Sequence, residues 1–242
     1  SEEKRECMET DKISVVIPVY NEEEGLEMLF TKLVPVMEGM KRDYEIVLVD
    51  DGSTDGSLEI MRRHAGEKIM VVELTRNYGQ HAAVFAGFES SKGEIIITMD
   101  ADLQNPPEEI PRLIQTMEEG DYEVVGTIRR ARKDTAFRKT ASRIVNAMTR
   151  RITGVSLRDW GCMLRAYRRN VVEYMVNSRE HSTFIPALAT TFAKRITEIE
   201  VSHAERYAGE SKYSFVKLVS LHFDLLTSFS EFPLKVMLYL GM

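Results

Sequence analysis

The sequence predicts an α/β fold, a Rossmann-like and mostly parallel sheet flanked by helices. Three observations point to it. Short apolar runs of the buried-strand type alternate with segments of helical spacing through the first half of the chain. Three of these runs end abruptly in polar or acidic residues, as strands do where their carboxyl ends open onto a ligand crevice. With 242 residues, 43% hydrophobic and 29% charged, the chain can bury one large core and is not disordered.

Ile13–Val19 is the first strand, and the helix after it is expected over 22–40 because Leu26, Leu29, Phe30, Leu33 and Met37 recur at helical spacing. Pro35 is expected to kink or shorten that helix. A second strand over 46–49 precedes a helix over 57–63, and a third strand over 70–74 precedes a helix over 80–89. The run from Ile95 is the fourth strand. In the helix that follows, Asn105 is expected to be the N-cap, with Pro106 and Pro107 in the first turn and Glu108 as capping-box partner. Ile110, Leu113, Ile114 and Met117 form its buried stripe, and 124–127 is a further strand. Met163, Leu164 and Tyr167 read as core.

The chemistry concentrates where strands end. Ile95-Ile96-Ile97-Thr98-Met99-Asp100-Ala101-Asp102 places two carboxylates one residue apart at a strand mouth, a pairing that suits a hard divalent cation carrying phosphate. Asp-x-Asp alone is common in surface loops. Here a second acid cluster follows a second apolar run, Ile46-Val47-Leu48-Val49-Asp50-Asp51-Gly52-Ser53-Thr54-Asp55, and Pro18-Val19-Tyr20-Asn21-Glu22 closes a third. Within these clusters Asp50 has the simpler reading of capping the turn around Gly52. Neither Gly-x-Gly-x-x-Gly nor a Walker loop appears, which excludes a dinucleotide oxidoreductase or P-loop enzyme. Side chains and a metal must hold the phosphates. His81 and His203 lack ligand partners at metal spacing and read as structural hydrogen-bonding residues.

Charge is uneven. The total is −6, which argues against nucleic acid as a partner, yet from Arg129 to Arg169 there are 13 Lys or Arg against only Asp134 and Asp159. Such a segment suits a phosphate-rich substrate or an anionic membrane surface, although any single Arg in it reads equally as solvated helix face. Cys7 and Cys162 form neither a disulfide framework nor a metal pattern, and the polar N-terminus has no signal-peptide core, so a cytosol-facing protein is expected.

The segments Val15-Val16-Ile17-Pro18-Val19-Tyr20-Asn21-Glu22, Val49-Asp50-Asp51-Gly52-Ser53-Thr54-Asp55 and Asp100-Ala101-Asp102-Leu103-Gln104-Asn105-Pro106-Pro107 together resemble the family 2 glycosyltransferases of GT-A fold. The subgroup resembled is the polyprenyl-phosphate sugar transferases. Arg76-Asn77-Tyr78-Gly79-Gln80-His81, the stretch from Gly161 to Arg169, His203-Ala204-Glu205-Arg206 and Gly209-Glu210-Ser211-Lys212-Tyr213-Ser214 extend the match from residue 12 to the end. The resemblance implies an inverting enzyme moving a sugar, expected to be 4-deoxy-4-formamido-L-arabinose, from UDP to undecaprenyl phosphate at the cytoplasmic face of the inner membrane. That is a reaction of lipid A modification and polymyxin resistance. Glucose or mannose transfer to a polyprenyl phosphate is the near alternative.

By the same resemblance, Pro18, Tyr20, Glu22, Val49 and Asp51 would hold the nucleoside. Asp100 and Asp102, with Ala101 and Gln104 beside them, would bind Mg²⁺ or Mn²⁺ across the diphosphate. Arg129, Arg206 and Lys212 match phosphate-contacting positions, and Asp159 occupies the place of the catalytic base. The implied organisation is a flexible tail over 1–11, a GT-A domain over 12–214 and an amphipathic juxtamembrane segment over 215–242. In that last segment Phe215, Leu218, Val219, His222, Leu225, Leu226 and Phe229 recur at helical spacing, and Ser211 reads equally as a helix start. Pro233 opens an apolar run too short for the roughly 20 residues a spanning helix needs. Resembling proteins continue into two transmembrane helices, so this chain is expected to be part of a longer one. A homo-oligomer is compatible with this reading.

Two other classes compete. Leu48-Val49-Asp50-Asp51 is similar to the acid pocket of a phosphoryl-accepting receiver domain, against which stand the second acid pair and the chain's length. A non-catalytic scaffold would bind UDP without transferring sugar.

Overall fold

In the computed structural model, which describes residues 11–129, 162–178 and 185–202, the apolar runs assemble into one seven-stranded sheet of order β3-β2-β1-β4-β6-β5-β7. Strands β1 (Ile13–Val19), β2 (Tyr44–Asp50), β3 (Ile69–Glu73) and β4 (Ile95–Thr98) are mutually parallel. Strand β6 (Arg165–Arg168) runs antiparallel to β4 and to β5 (Val124–Arg129), and β7 (Ile196–Val201) is parallel to β5. Six of the seven strands therefore point one way, and their carboxyl ends share one edge. The expected mostly parallel sheet is present, with β6 and β7 added to the strands legible from periodicity.

Helices α1 (Glu23–Gly39), α2 (Ser57–His64) and α4 (Ile110–Glu119) cover one face, and α3 (Gln80–Ser90), α5 (Arg169–Asn177) and α6 (Ile185–Phe192) cover the other. This explains why the strands read as continuous apolar runs: both faces are buried, so no polar alternation is required. Val15, Ile17, Val19, Ile46, Leu48, Ile95 and Ile97 pack with α1, α2 and α4, while Val16, Val47, Val49 and Ile96 pack with α3, α5 and α6. Gly87 brings α3 close to the sheet, since a Cβ there would lie 2.3 Å from Val16 Cγ1. Met163, Leu164 and Tyr167 are core, as expected.

Two local expectations change. Helix α1 runs unbroken through Pro35, which lies on its exposed side, while Leu33 and Met37 keep the buried face continuous. Asn105 caps nothing. A turn of 3-10 helix at Pro107–Glu109 precedes α4, and no side chain caps either start. Pro107 opens this turn and Pro106 occupies its N-cap position, so Asn105 falls one residue too far upstream to cap it. Its Oδ1 instead lies 3.5 Å from Cys162 Sγ, and both residues are buried. Glu109 accepts hydrogen bonds from the Ser202 amide and hydroxyl at 3.2 and 3.0 Å, tying α4 to the end of β7.

The amino-terminal edge of the sheet is locked by polar groups. Buried Glu45 accepts from the Ser14 hydroxyl at 2.6 Å and the Lys92 amide at 2.5 Å, and pairs with Lys12 at 3.0 Å. The opposite edge is left for function. Among the described residues, no helix is long and apolar enough to cross a membrane. The expectations for 1–10, Asp159, His203, Arg206, Ser211, Lys212 and 215–242 lie outside the described residues.

Candidate active site

Strand parity decides which side chains meet. Successive residues of a strand point to opposite faces, so in parallel strands held in register a whole set of positions shares one face. Val49 pairs with Pro18, and Val16 pairs with Thr98, with β1 lying between β2 and β4. Continuing the alternation past the strand ends puts Tyr20, Asp51 and Asp100 on the α3 side with Val16 and Val49. Asp50 falls on the α2 side. Its two oxygens accept the Ser53 amide at 3.3 and 3.2 Å, so it caps the turn around Gly52, as its simpler reading predicts.

Asp51 holds the loop after β3. Its Oδ1 accepts the Tyr78 amide at 2.7 Å and its Oδ2 accepts the Gly79 amide at 2.9 Å. Burial pushes this carboxyl above the usual aspartate range, and neighbouring Asp50 adds to the effect, together outweighing the two amide donors. The loop can pass this close because Gly52 adopts φ +70° and has no side chain, whereas a Cβ there would lie 2.5 Å from the Arg76 carbonyl carbon. Immediately beyond Gly79, which has φ +97°, helix α3 begins with Gln80. The Gln80 Nε2 donates to Asp100 Oδ1 at 2.6 Å. The acids of β2 and β4 are thus linked through three consecutive residues, Tyr78, Gly79 and Gln80.

The loop after β4 alternates in burial. Ala101, Leu103 and Asn105 are buried, while Asp100, Asp102 and Gln104 are partly exposed. Leu103 takes φ +59°, an uncommon value for a branched residue, held here by burial of its side chain. Asp102 Oδ1 accepts the Gln104 amide at 3.1 Å, which closes the turn. Among the described residues, no three His, Cys, Asp or Glu side chains gather into a metal cage. Two partly exposed carboxylates with an amide beside them fit Mg²⁺ or Mn²⁺, since such ions are commonly held by one or two carboxylates plus substrate phosphates and water. Burial pushes the His81 imidazole down to about 4, so it brings no positive charge to this cluster.

The β1 and β2 loops are laced together. Asn21 donates its amide to Ser53 Oγ at 3.0 Å and accepts from the Thr54 amide at 2.7 Å, and Glu22 donates its amide to Ser57 Oγ at 2.8 Å. Pro18, Tyr20 and Glu22 are partly exposed along this edge, whereas Val49 is buried beneath α3. Arg129 closes β5 at the same edge.

A second anchored segment arrives there. Thr98 Oγ1 donates to the Met163 carbonyl at 2.5 Å, Thr127 Oγ1 donates to the Leu164 carbonyl at 2.8 Å, and Arg165 Nε donates to the Cys162 carbonyl at 2.9 Å. Because β6 runs antiparallel, residues 162–164 enter the sheet at the edge where β4 and β5 leave it. Arg165 is fully buried, and Gly126 makes room for it: a Cβ at Gly126 would lie 3.0 Å from Arg165 Nη1.

Several of these contributors carry no acidic or basic signature. Tyr78, Gly79 and Gln80 lie in a segment that carries the family resemblance, but residue chemistry gives them, like Thr98 and Thr127, no role in advance. The clues for Gln80 are its place in that segment and its position as the first helical residue after a strand mouth.

The glycosyl transferase family 2 model matches residues 14–176. An undecaprenyl-phosphate 4-deoxy-4-formamido-L-arabinose transferase of Proteus mirabilis (strain HI4320) is 53% identical over 234 residues, covering 96% of this chain and 72% of the relative. The protein of the same name from Yersinia enterocolitica serotype O:8 / biotype 1B is 55% identical over 233 residues, covering 95% and 71%. Among solved structures, glucosyl-3-phosphoglycerate synthase from Mycobacterium tuberculosis in complex with Mn²⁺, uridine-diphosphate and glucosyl-3-phosphoglycerate superposes with TM-score 0.66 at 18% identity. That match covers 94% of this chain and 83% of the synthase, and establishes a common fold.

Proposed function

This chain belongs to glycosyl transferase family 2, and from that premise we propose that it transfers 4-deoxy-4-formamido-L-arabinose from UDP to undecaprenyl phosphate. One observation supports the reading: among the described residues, the segments assigned a role end at the same sheet edge. Strands β1, β2, β4 and β5 end there beside Tyr20, Asp51, Asp100 and Arg129. Asp159 precedes Cys162 by three residues, a tether of at most about 11 Å from the segment that leads into β6. Arg206 and Lys212 follow β7, whose carboxyl end opens on that edge too.

In this reading Pro18, Tyr20, Glu22, Val49 and Asp51 frame the nucleoside. Asp100 and Asp102, with Ala101 and Gln104, would hold Mg²⁺ or Mn²⁺, which supplies charge neutralisation for the departing diphosphate. Arg129 and Arg206 offer forked donors to phosphate oxygens, and Lys212 offers a point charge. An acceptor phosphate oxygen bonds to the anomeric carbon as its bond to the UDP oxygen breaks, and in-line displacement inverts that centre. The second ionisation of a phosphate monoester lies near about pH 6, so the acceptor is already largely dianionic at neutrality. Asp159 then has little proton to remove, and its role is to position the acceptor or take the residual proton.

The acceptor's polyprenyl chain is a membrane lipid, which requires this edge to work at a membrane surface. The basic segment 129–169 and residues 215–242 are proposed to contact it on the cytoplasmic side. The test has two arms. Calorimetry with UDP, GDP and CDP, each with Mn²⁺, Mg²⁺ or chelator, is expected to give metal-dependent binding of UDP alone. Transfer assays on undecaprenyl phosphate are expected to favour the formamido-arabinosyl donor over UDP-glucose, with Asp102→Asn inactive. Metal-independent nucleotide binding, or an active Asp102→Asn, would overturn the assignment.

A further inference from the structure

We infer that Gln80 is a positioning residue for the cation-binding carboxylate of Asp100, and that through Tyr78 and Gly79 it ties this carboxylate mechanically to Asp51. This rests on the assignment of Asp100 and Asp102 as cation ligands. Gln80 lies 20 residues from Asp100 in sequence, yet its Nε2 donates to Asp100 Oδ1 at 2.6 Å. A donor held on one oxygen selects one rotation of a carboxylate at the end of a strand. Outer contacts of this kind orient metal ligands.

The donor is itself fixed from both sides. Upstream, the Tyr78 and Gly79 amides are clamped by the two oxygens of buried Asp51 at 2.7 and 2.9 Å. Downstream, α3 is seated against the sheet at Gly87, where a Cβ would lie 2.3 Å from Val16 Cγ1. Gln80 therefore does not drift relative to β1 or β2, and Asp100 is aligned by the same loop that Asp51 holds. The chemistry of the residue also suits the task. Glutamine donates a hydrogen bond without a net charge, whereas Lys or Arg at this point would repel a cation bound a few ångströms away.

The consequence is that metal affinity depends on a residue that never touches the metal. Mn²⁺ titrations of the whole chain followed by electron paramagnetic resonance, with and without UDP, test this on wild type, Gln80→Leu, Gln80→Ala and Asp102→Asn. The Gln80 variants are expected to weaken Mn²⁺ binding about 10- to 100-fold. Uridine binding, which involves no phosphate, is expected to stay at the wild-type value, and the thermal midpoint is expected to fall by only the few degrees that one lost hydrogen bond costs. Unchanged Mn²⁺ affinity in both Gln80 variants, with binding lost in Asp102→Asn, overturns the inference and leaves the cation site standing. Parallel losses of Mn²⁺ affinity, uridine affinity and thermal midpoint assign Gln80 a general structural role and overturn it too. A wild-type protein that binds no Mn²⁺ with UDP present overturns the inference together with the site.

Discussion

Gly52→Ala should damage both stability and donor binding, because one Cβ at this position pushes on the loop that organises the acids. Gly52 has φ +70°, and an alanine in the left-handed region costs about 1–2 kcal/mol. The new Cβ would lie 2.5 Å from the Arg76 carbonyl carbon, 2.7 Å from the Asn77 nitrogen and 2.8 Å from Arg76 Cα, all backbone atoms. Ordinary carbon contact begins near about 3.5 Å, so the loop must retreat by roughly 1 Å. The Tyr78 and Gly79 amides donate to Asp51 at 2.7 and 2.9 Å, and a retreat of that size takes at least one of them out of range. A hydrogen bond to a charged group contributes about 1.5–3 kcal/mol, so the total loss is about 2.5–5 kcal/mol. A domain with about 5–15 kcal/mol of stability still folds after such a loss, but with a lowered urea midpoint. Calorimetry with UDP and Mn²⁺ should show binding weakened at least about tenfold, because displacement of Tyr78 and Gly79 carries Gln80 away from Asp100. Wild-type stability together with wild-type UDP affinity in Gly52→Ala would refute the clamp.

Three further outcomes are expected. Hydrogen bonds from Ser14 and the Lys92 amide, with Lys12, outweigh the desolvation that raises Glu45, and hold its carboxyl below the usual glutamate value of 4.5. A folded pKa below the unfolded one contributes stability that is present above about pH 4.5 and lost as pH falls through the folded value. Wild type should therefore exceed Glu45→Ala by about 1–3 kcal/mol at pH 7 in urea melts, with the gap closing at acid pH. A gap that is flat from pH 7 to pH 3 would contradict this. Gly126→Ala should cost about 1–3 kcal/mol by crowding buried Arg165, and Arg165→Met in the same chain should recover part of it, measured by thermal melts. No recovery would place the strain elsewhere. Asp159→Asn should keep near-normal turnover at pH 8 and lose it at pH 5.5 if the residue takes the residual acceptor proton. Equal loss at both values would assign it to positioning alone.

Much of the fold is legible because local physics and tertiary need agree. Leu26, Leu29, Phe30, Leu33 and Met37 recur at helical spacing, and all five are buried on α1. The apolar runs at Ile13, Ile46 and Ile95 are strands covered on both faces. Where expectation and structure part, a neighbour in space intervenes. Asn105 has the chemistry of a cap, yet two prolines carry the helix start past it and Cys162 comes to lie beside it. Strands β6 and β7 are harder to read because Arg165-Ala166-Tyr167-Arg168 and Ile196-Thr197-Glu198-Ile199-Glu200-Val201 carry charges that isolated strands would expose. Arg165 is nevertheless fully buried, made possible by the absence of a side chain at Gly126 in the neighbouring strand.

By itself the sequence determined that carboxylates would stand at strand ends and that a cation carrying phosphate would suit them. Residue type and two-residue periodicity are properties a chain carries before it folds. Tertiary structure alone decided which acids face one another. The order β3-β2-β1-β4 and the strand parity send Asp50 to a turn and Asp51 to the loop of Tyr78 and Gly79, and bring Gln80 onto Asp100. Such contacts join residues 20 to 28 positions apart, and a hydrogen bond at that separation forms only after the sheet has assembled and brought its ends together.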